Sequence, residues 1–586
     1  MRSPLGVMHR ARLLLLSLGL LCLHFASCRA GWVDPDTTEE NTFTTGLADG
    51  RNYSLVFSDE FEAEGRDFAD GADPAWTAET KSDDAQTSTG QGSQHYYNAS
   101  YVSTNSGYLN LTTTDEETKW RGYNPYKKKY ETLHKNFRSA MISTWNKFCF
   151  TGGVIEMKAQ LPGNPATGGL WPAFWLLGNL GRATYEASTN LVWPWSYDKC
   201  NRKLQLAQEI SACNGVKHFG LHSHQGRGST EIDIIEVNAG TVGPRPNPYD
   251  KVGLPYVSTT LQVAPGIPEH RPKNEGPVSP RDTWYEGMIF GNKSSQNIHF
   301  YGLNVDKTSP QEPVYRSAEQ QYTADGISAL TKLQKTHFEE DHLYRLEWQP
   351  GDEGYLAWYI DNELVLRIGA EVLSPFGTQI PMEPSYLILN TAVSSAWGFP
   401  DPCPAGCTCD CYSCQDPDCS CAINDGFCAS LPAYFMIDYV RVYQTNDKHQ
   451  YLGCDPPDFP TRTFIKGHPA RYMAGNAKKP LKPVVTGGGH CKSSDDCGHG
   501  VCRYPWSVFF SSCSCDDGWK GPNCLVTAKH DDFDYTIHTD WTPRHLTVPL
   551  LLRLVVITLA LAMVVASYII GGSKKQKRVS RGRERR

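Results

Sequence analysis

Between Tyr53 and Tyr443 apolar and aromatic residues alternate with polar ones in short runs cut by Gly, Pro, Asn and Asp, and no sustained period of 3.6 competes with them. Val154-Ile155-Glu156-Met157-Lys158-Ala159, Leu343-Tyr344-Arg345-Leu346-Glu347-Trp348, Leu356-Ala357-Trp358-Tyr359-Ile360 and Tyr439-Val440-Arg441-Val442-Tyr443 are examples. Period two sets successive side chains on opposite faces of a strand, so a chain written this way buries one face per strand in an all-β sandwich or barrel. Pro350-Gly351-Asp352-Glu353-Gly354 between two such runs predicts a hairpin. Two stretches break the rhythm: residues 182–228 are polar, and residues 244–280 are rich in Pro and Gly. Loops of that length in a packed domain usually carry function, and both are expected to wall a binding cleft.

The ends of the chain place it in the secretory pathway. Arg2, Arg10 and Arg12 precede an apolar run and then Ala26, Ser27, Cys28 and Ala30, the pattern of a signal peptide over residues 1–30. Residues 548–570 are apolar except for Arg553, long enough to span a bilayer. The tail over 571–586 holds eight basic residues against Glu584, so the tail is expected in the cytoplasm and the body in the lumen or outside, a single-pass type I protein of the endoplasmic reticulum, Golgi or plasma membrane. In that compartment Asn52, Asn98, Asn110 and Asn292, each in an Asn-x-Ser/Thr triplet, are candidate glycosylation sites. Net charge is -7, which argues against nucleic acid as a partner. Twenty cysteines in an oxidising lumen favour disulfides over metal clusters.

Gly228-Ser229-Thr230-Glu231-Ile232-Asp233-Ile234-Ile235-Glu236-Val237-Asn238 carries the chemistry. In a regular strand Glu231 and Asp233 share a face and Glu236 points away; one extra residue in a β-bulge returns Glu236 to its companions. Three carboxyls on one face repel, so at least one keeps its proton near neutrality, as a general acid must. Retaining glycosidases need such a pair, one acid as nucleophile and one as proton donor then acceptor. Acids alternating with isoleucine suit this better than a calcium loop. In Gly168-Gly169-Leu170-Trp171-Pro172-Ala173-Phe174-Trp175-Leu176-Leu177-Gly178, Trp171 and Trp175 are four apart, so both can project to one face as platforms for the apolar faces of sugar rings. Trp193, Trp195 and Trp397 are further platform candidates.

Taken together, Glu231-x-Asp233-x-x-Glu236, Gly153-Val154-Ile155-Glu156, Leu170-Trp171-Pro172-Ala173-Phe174-Trp175 and Ile437-Asp438-Tyr439-Val440-Arg441-Val442-Tyr443 resemble glycoside hydrolase family 16. Gly178-Asn179-Leu180-Gly181-Arg182-Ala183, Trp193-Pro194-Trp195-Ser196-Tyr197-Asp198 and Gly453-Cys454-Asp455-Pro456 are similar to its β-glucan-synthesis-associated branch, known from fungal wall biogenesis. The resemblance covers about residues 51–465. It implies a jelly-roll of two curved antiparallel sheets with an open cleft for β-glucan, retention of configuration, Glu231 as nucleophile, Asp233 as its helper and Glu236 as acid/base. Glucan-degrading relatives often carry a histidine on the following strand. Gln262 stands there in this chain and joins the candidate substrate-binding set of Trp171, Trp175, Trp195 and Trp397. The branch is associated with β-1,6-glucan, and its members are typically type II membrane proteins, unlike the type I arrangement expected here. No cofactor is implied; a structural calcium on the sandwich is left open.

Domain boundaries follow: the sandwich over 51–446 with a cysteine-rich insertion at 403–428, a linker over 447–486, a small module over 487–526 and a stalk over 527–547. Cys513-Ser514-Cys515-Asp516-Asp517-Gly518-Trp519-Lys520-Gly521-Pro522-Asn523-Cys524 resembles the end of an EGF-like module, a spacer or a contact for a protein partner. That resemblance implies Cys491–Cys502, Cys497–Cys513 and Cys515–Cys524. Cys200 and Cys213 share one insertion and are expected to pair, which leaves Cys149 for Cys454; the eight cysteines of 403–428 allow 105 pairings. The leading reading is a membrane-anchored β-glucan glycosidase or transglycosylase. A glucan-binding wall scaffold without turnover competes with it, and an EGF-bearing adhesion receptor is a third reading.

Overall fold

The computed structural model describes residues 32–527 except 83–92, 125–128, 203–207, 216–218, 241–251, 264–286, 298–324, 396, 401–402, 408, 410, 474–480, 483–484 and 505–510. The expected signal peptide, stalk, membrane segment and tail lie outside the described residues. Among the described residues no helix is long and apolar enough to cross a membrane.

The alternating runs become two large antiparallel sheets. One, the outer sheet, runs in space through Phe43–Thr45, Asn52–Asp59, Ala433–Gln444, Gly153–Gln160, His342–Gln349, Tyr355–Ile360, Glu363–Gly369 and Ile289–Phe290. The other, the cleft sheet, runs through Ser294–Gln296, Asp325–Lys332, Tyr256–Val263, Glu231–Asn238, Leu170–Gly178, Ser385–Val393, Met141–Ser143 and Thr77–Ala78. The hairpin expected at Pro350 to Gly354 joins two neighbouring strands of the outer sheet. Residues of the inner faces form one core: Ile155, Met157, Leu346, Trp348, Trp358 and Val442 from the outer sheet meet Phe174, Leu176, Ile232, Ile235, Leu261 and Leu389 from the cleft sheet.

One sequence expectation is sharpened and another changes. Within the Pro- and Gly-rich stretch 244–280 the strand expected to carry Gln262 runs over Tyr256–Val263, paired on both sides. The stretch 447–486 is no linker. Cys454, Phe464, Ile465, Tyr472 and Leu481 are buried, and the helix Arg462–Gly467 sits on the sandwich. Arg182 holds this segment to the 182–228 insertion. Its guanidinium donates to the Tyr472 carbonyl at 2.6 Å and to Glu79 at 3.0 Å, between the rings of Tyr185 and Trp145. A buried arginine needs such partners on every side, so it joins whatever supplies them.

The eighteen cysteines from Cys149 to Cys524 form nine disulfides. Cys149–Cys454, Cys200–Cys213, Cys491–Cys502, Cys497–Cys513 and Cys515–Cys524 are among them. The insertion 403–428 is a knob with interlaced pairs Cys403–Cys409, Cys407–Cys421, Cys411–Cys419 and Cys414–Cys428, packed through Tyr412, Ile423 and Phe427 onto Phe137, Phe399 and Leu170. The small C-terminal module seats on the sandwich: Trp519 and Leu525 share a cavity with Trp32, Asp34 and Arg66, and Gly521 donates at 2.9 Å to the carbonyl of Val485, which lies just before the module and donates its own N–H to the Gly71 carbonyl at 2.7 Å. Asn52 and Asn292 are exposed, while Asn98 and Asn110 are half-buried.

Candidate active site

The acidic strand Glu231–Asn238 lies at the middle of the cleft sheet, between Leu170–Gly178 and Tyr256–Val263. On one side Phe174 pairs with Ile235 and Trp175 with Asp233; on the other Asp233 pairs with Thr260 and Glu236 with Ser258. Ile234 is the surplus residue of a bulge. Because of it Ile232, Ile234, Ile235 and Val237 all reach the core, each 1 % exposed or less, while Glu231, Asp233 and Glu236 share the opposite face.

Each acid has one polar neighbour of its own. The Trp193 indole N–H donates to Glu231, the Gln262 amide donates to Asp233 at 3.3 Å, and the Ser258 hydroxyl donates to Glu236 at 3.3 Å. Asp233 also hydrogen-bonds Glu231. Among the described residues no Lys, Arg or His forms an ion pair with any of the three. Burial pushes Glu231 up to about 7, against the opposing pull of the Trp193 and Asp233 hydrogen bonds. Burial and then the negative charge of Glu231 push Glu236 up to about 8. Asp233 is raised well above the carboxylate range by burial and by both glutamates. Three acids in one dry cluster cannot all ionise near neutrality. Asp233 is raised and shares a hydrogen bond with Glu231 that favours the Glu231 carboxylate, while Glu236 keeps its proton to higher pH than Glu231 does. One face thus offers a carboxylate and a carboxylic acid together.

Aromatic rings line the same face. On the strand Leu170–Gly178 only Trp171 and Trp175 are half-buried; the other residues are buried. Trp171 stacks on Trp397, ring centres 4.4 Å apart and planes 10° apart, and its indole N–H lies toward Glu236 without completing a hydrogen bond. Trp175 donates to Asn390 at 2.8 Å, and Asn390 donates to the Tyr97 hydroxyl at 3.2 Å. Trp195 departs from the sequence expectation. It is 4 % exposed, and its indole donates to the Tyr197 carbonyl at 2.5 Å, so it offers no ring to the cleft. Trp193, two residues earlier, reaches the acids instead. Nothing in Trp193-Pro194-Trp195 distinguishes the two rings before the chain turns. Ser258, Asn390 and Tyr97 carry no sequence signal, since a lone hydroxyl or amide on a strand is ordinary.

One group elsewhere has metal-ligand chemistry: ring nitrogens of His337 and His342 and a carboxylate oxygen of Asp361 lie within 4.8 Å of one another. The two imidazoles are stacked, centres 3.7 Å apart and planes 22° apart, so their in-plane lone pairs run alongside each other and do not converge. His342 is already bound to Asp361 at 2.7 Å. The set does not fit a shared ion.

The family model of "Beta-glucan synthesis-associated protein SKN1/KRE6/Sbg1" matches residues 19–403 and 424–481, most of the chain, and the protein belongs to that family. Among curated relatives, beta-glucan synthesis-associated protein KRE6 of Saccharomyces cerevisiae is 29% identical over 476 residues, covering 77% of this chain and 54% of that one. SKN1 of the same yeast is 30% identical over 497 residues, covering 80% and 54%. The chain therefore spans about half the length of the curated relatives it matches. Among solved structures, the laminarinase catalytic domain from Thermotoga maritima aligns over 67% of this chain and 99% of that one, at 20% identity and a TM-score of 0.35.

Proposed function

We propose that the protein is a β-glucan-active retaining glycosidase or transglycosylase that works in building β-glucan, in line with the names of its curated relatives. The observation that carries this reading is the trio Glu231, Asp233 and Glu236 on one bulged face with no ion-paired cation among the described residues. Glu231 attacks the anomeric carbon while Glu236 gives its proton to the departing glycosidic oxygen; the C–O bond breaks and a glycosyl–Glu231 ester forms. Glu236, now a carboxylate, takes a proton from water or from a sugar hydroxyl, which displaces Glu231 and restores the acids. Asp233 steadies Glu231 through the hydrogen bond they share, and Trp193 donates to the same carboxylate. Trp171, Trp175 and Trp397 offer rings to the apolar faces of the sugars. Transfer is the outcome when an acceptor sugar outcompetes water. β-1,6-Glucan is the first substrate to try, and β-1,3-glucan the second.

In the same proposal the sandwich faces the secretory lumen or the outside, tethered by residues 548–570, with the small C-terminal module as a contact for a protein partner. Defined β-1,3- and β-1,6-gluco-oligosaccharides incubated with the purified ectodomain supply the test. Shorter products mean hydrolysis and longer ones transfer, and Glu231→Gln abolishes either. Absence of any product, or turnover unchanged in Glu231→Gln, refutes the reading and leaves a glucan-binding scaffold.

A further inference from the structure

The bulge that turns Glu236 toward its companions has to be held, because an unpaired residue in a ladder leaves backbone groups without their regular partners. Two indoles reach the backbone on either side of Glu236. Trp358, 1 % exposed on the outer-sheet strand Tyr355–Ile360, donates its Nε1–H across the core to the Asp233 carbonyl at 3.0 Å. Trp397 donates to the Val237 carbonyl at 2.8 Å. Carrying the pairing of Ala173 with Glu236 one residue further sets Pro172 opposite Val237, and proline has no N–H to give.

We infer that Trp358 is a positioning residue for the acid/base Glu236: its indole N–H fixes the Asp233 carbonyl and with it the bulge that sets the carboxyl on the cleft face. Trp397 fixes the far side of the same five residues. The opposite sheet, across the core from the acids, thereby sets the aim of the proton donor. This rests on the reading of Glu231 and Glu236 as a catalytic pair, although the hydrogen bond and its effect on the strand do not.

Trp358→Phe keeps a large apolar ring and removes the donor. Trp348→Phe is the matched control, since Trp348 is also 1 % exposed in the same core and gives its N–H to the Pro381 carbonyl at 2.9 Å, away from the acidic strand. Hydrogen exchange of amides in 231–238, followed by mass spectrometry on the folded ectodomain, is expected to quicken about tenfold in Trp358→Phe and to stay within about twofold of the parent in Trp348→Phe. On a glucan that the parent turns over, Trp358→Phe is expected to lose about 10- to 100-fold in kcat with KM within about twofold and to shift the alkaline limb of the pH profile, while Trp348→Phe keeps both. Should Trp358→Phe fail to fold, β-(3-benzothienyl)alanine at 358 keeps the indole shape without the N–H and takes the same measurements. Equal exchange in the 358 and 348 variants overturns the inference, whatever the activity. Faster exchange at 231–238 with a parent that turns over no glucan upholds the hold on the bulge and sinks only the glycosidase reading.

Discussion

Two clusters of carboxylates sit on the two sheets, and their cross-strand neighbours separate them. On the outer sheet Glu156 stands between Arg345 and Arg441 on the adjoining strands. Arg345 donates to Glu156 at 2.8 Å and to Glu347 at 2.7 Å, Glu347 also accepts the N–H groups of Leu47 and Ala48, and Arg441 grips Glu60 at 2.7 Å. On the cleft sheet the neighbours across the strands from Glu231, Asp233 and Glu236 are Leu177, Gln262, Trp175, Thr260, Ala173 and Ser258. The first cluster is paired with arginines and locks strands together, although burial still lifts Glu156 above its ordinary value against their pull; the second has no ion-paired cation among the described residues, so burial and mutual repulsion raise its acids unopposed by positive charge. Burial alone does not mark a reactive acid; burial beside amides, hydroxyls and indoles does.

The largest effect that would break the comparison is on turnover. Glu236→Gln is expected to cost about 10²- to 10⁴-fold in kcat on a natural glucan, checked by steady-state kinetics. Removing a cation from the other cluster should cost stability instead: Arg345→Met strands Glu156 and Glu347 and is expected to lose about 3–5 kcal/mol by chemical denaturation, with activity per folded molecule unchanged. Trp193→Phe sharpens the contrast on the cleft side. Its N–H favours the charged form of Glu231, so without it the acid limb of the pH–rate profile moves to higher pH, with a loss of about tenfold or less in kcat at neutrality. The smallest effect is on melting. The cleft acids bind protons more tightly folded than unfolded, so they favour the fold below pH of about 4 and lose that contribution as pH rises toward 8. Glu236→Gln is therefore expected to raise Tm by about 2 °C or more at pH 8.5 and by under about 1 °C at pH 4, read by calorimetry.

Much of this contrast is legible in the sequence. Period two predicts the sandwich, and the spacing Glu231-x-Asp233-x-x-Glu236 requires a bulge, which Ile234 supplies. That no cation among the described residues pairs with the trio is not legible, because it depends on which strands adjoin, a matter of topology rather than of local pattern. Trp193 and Trp195 look alike in sequence and part ways only when one indole turns to the Tyr197 carbonyl. The stretch 447–486 reads as a linker by its prolines and glycines, yet Ile465 and Tyr472 pack with Trp145, Arg182 donates to the Tyr472 carbonyl, and Phe464 packs with Leu180, Val192, Ile210 and Leu221, all of them far away in the chain. Arg182 itself enters the sequence reading only as part of a family motif; its role as a clamp needs the segment it clamps.

The bond between Cys149 and Cys454, 305 residues apart, has a consequence for handling the protein. It closes one covalent ring through the three acids, the tryptophans, the 182–228 insertion and the cysteine knob. A protease that cuts once anywhere in that ring yields no separate fragments until reductant is added. On a gel the nicked protein would run as one chain without reductant and as two with it, and a preparation judged intact from the first lane alone could be cut throughout.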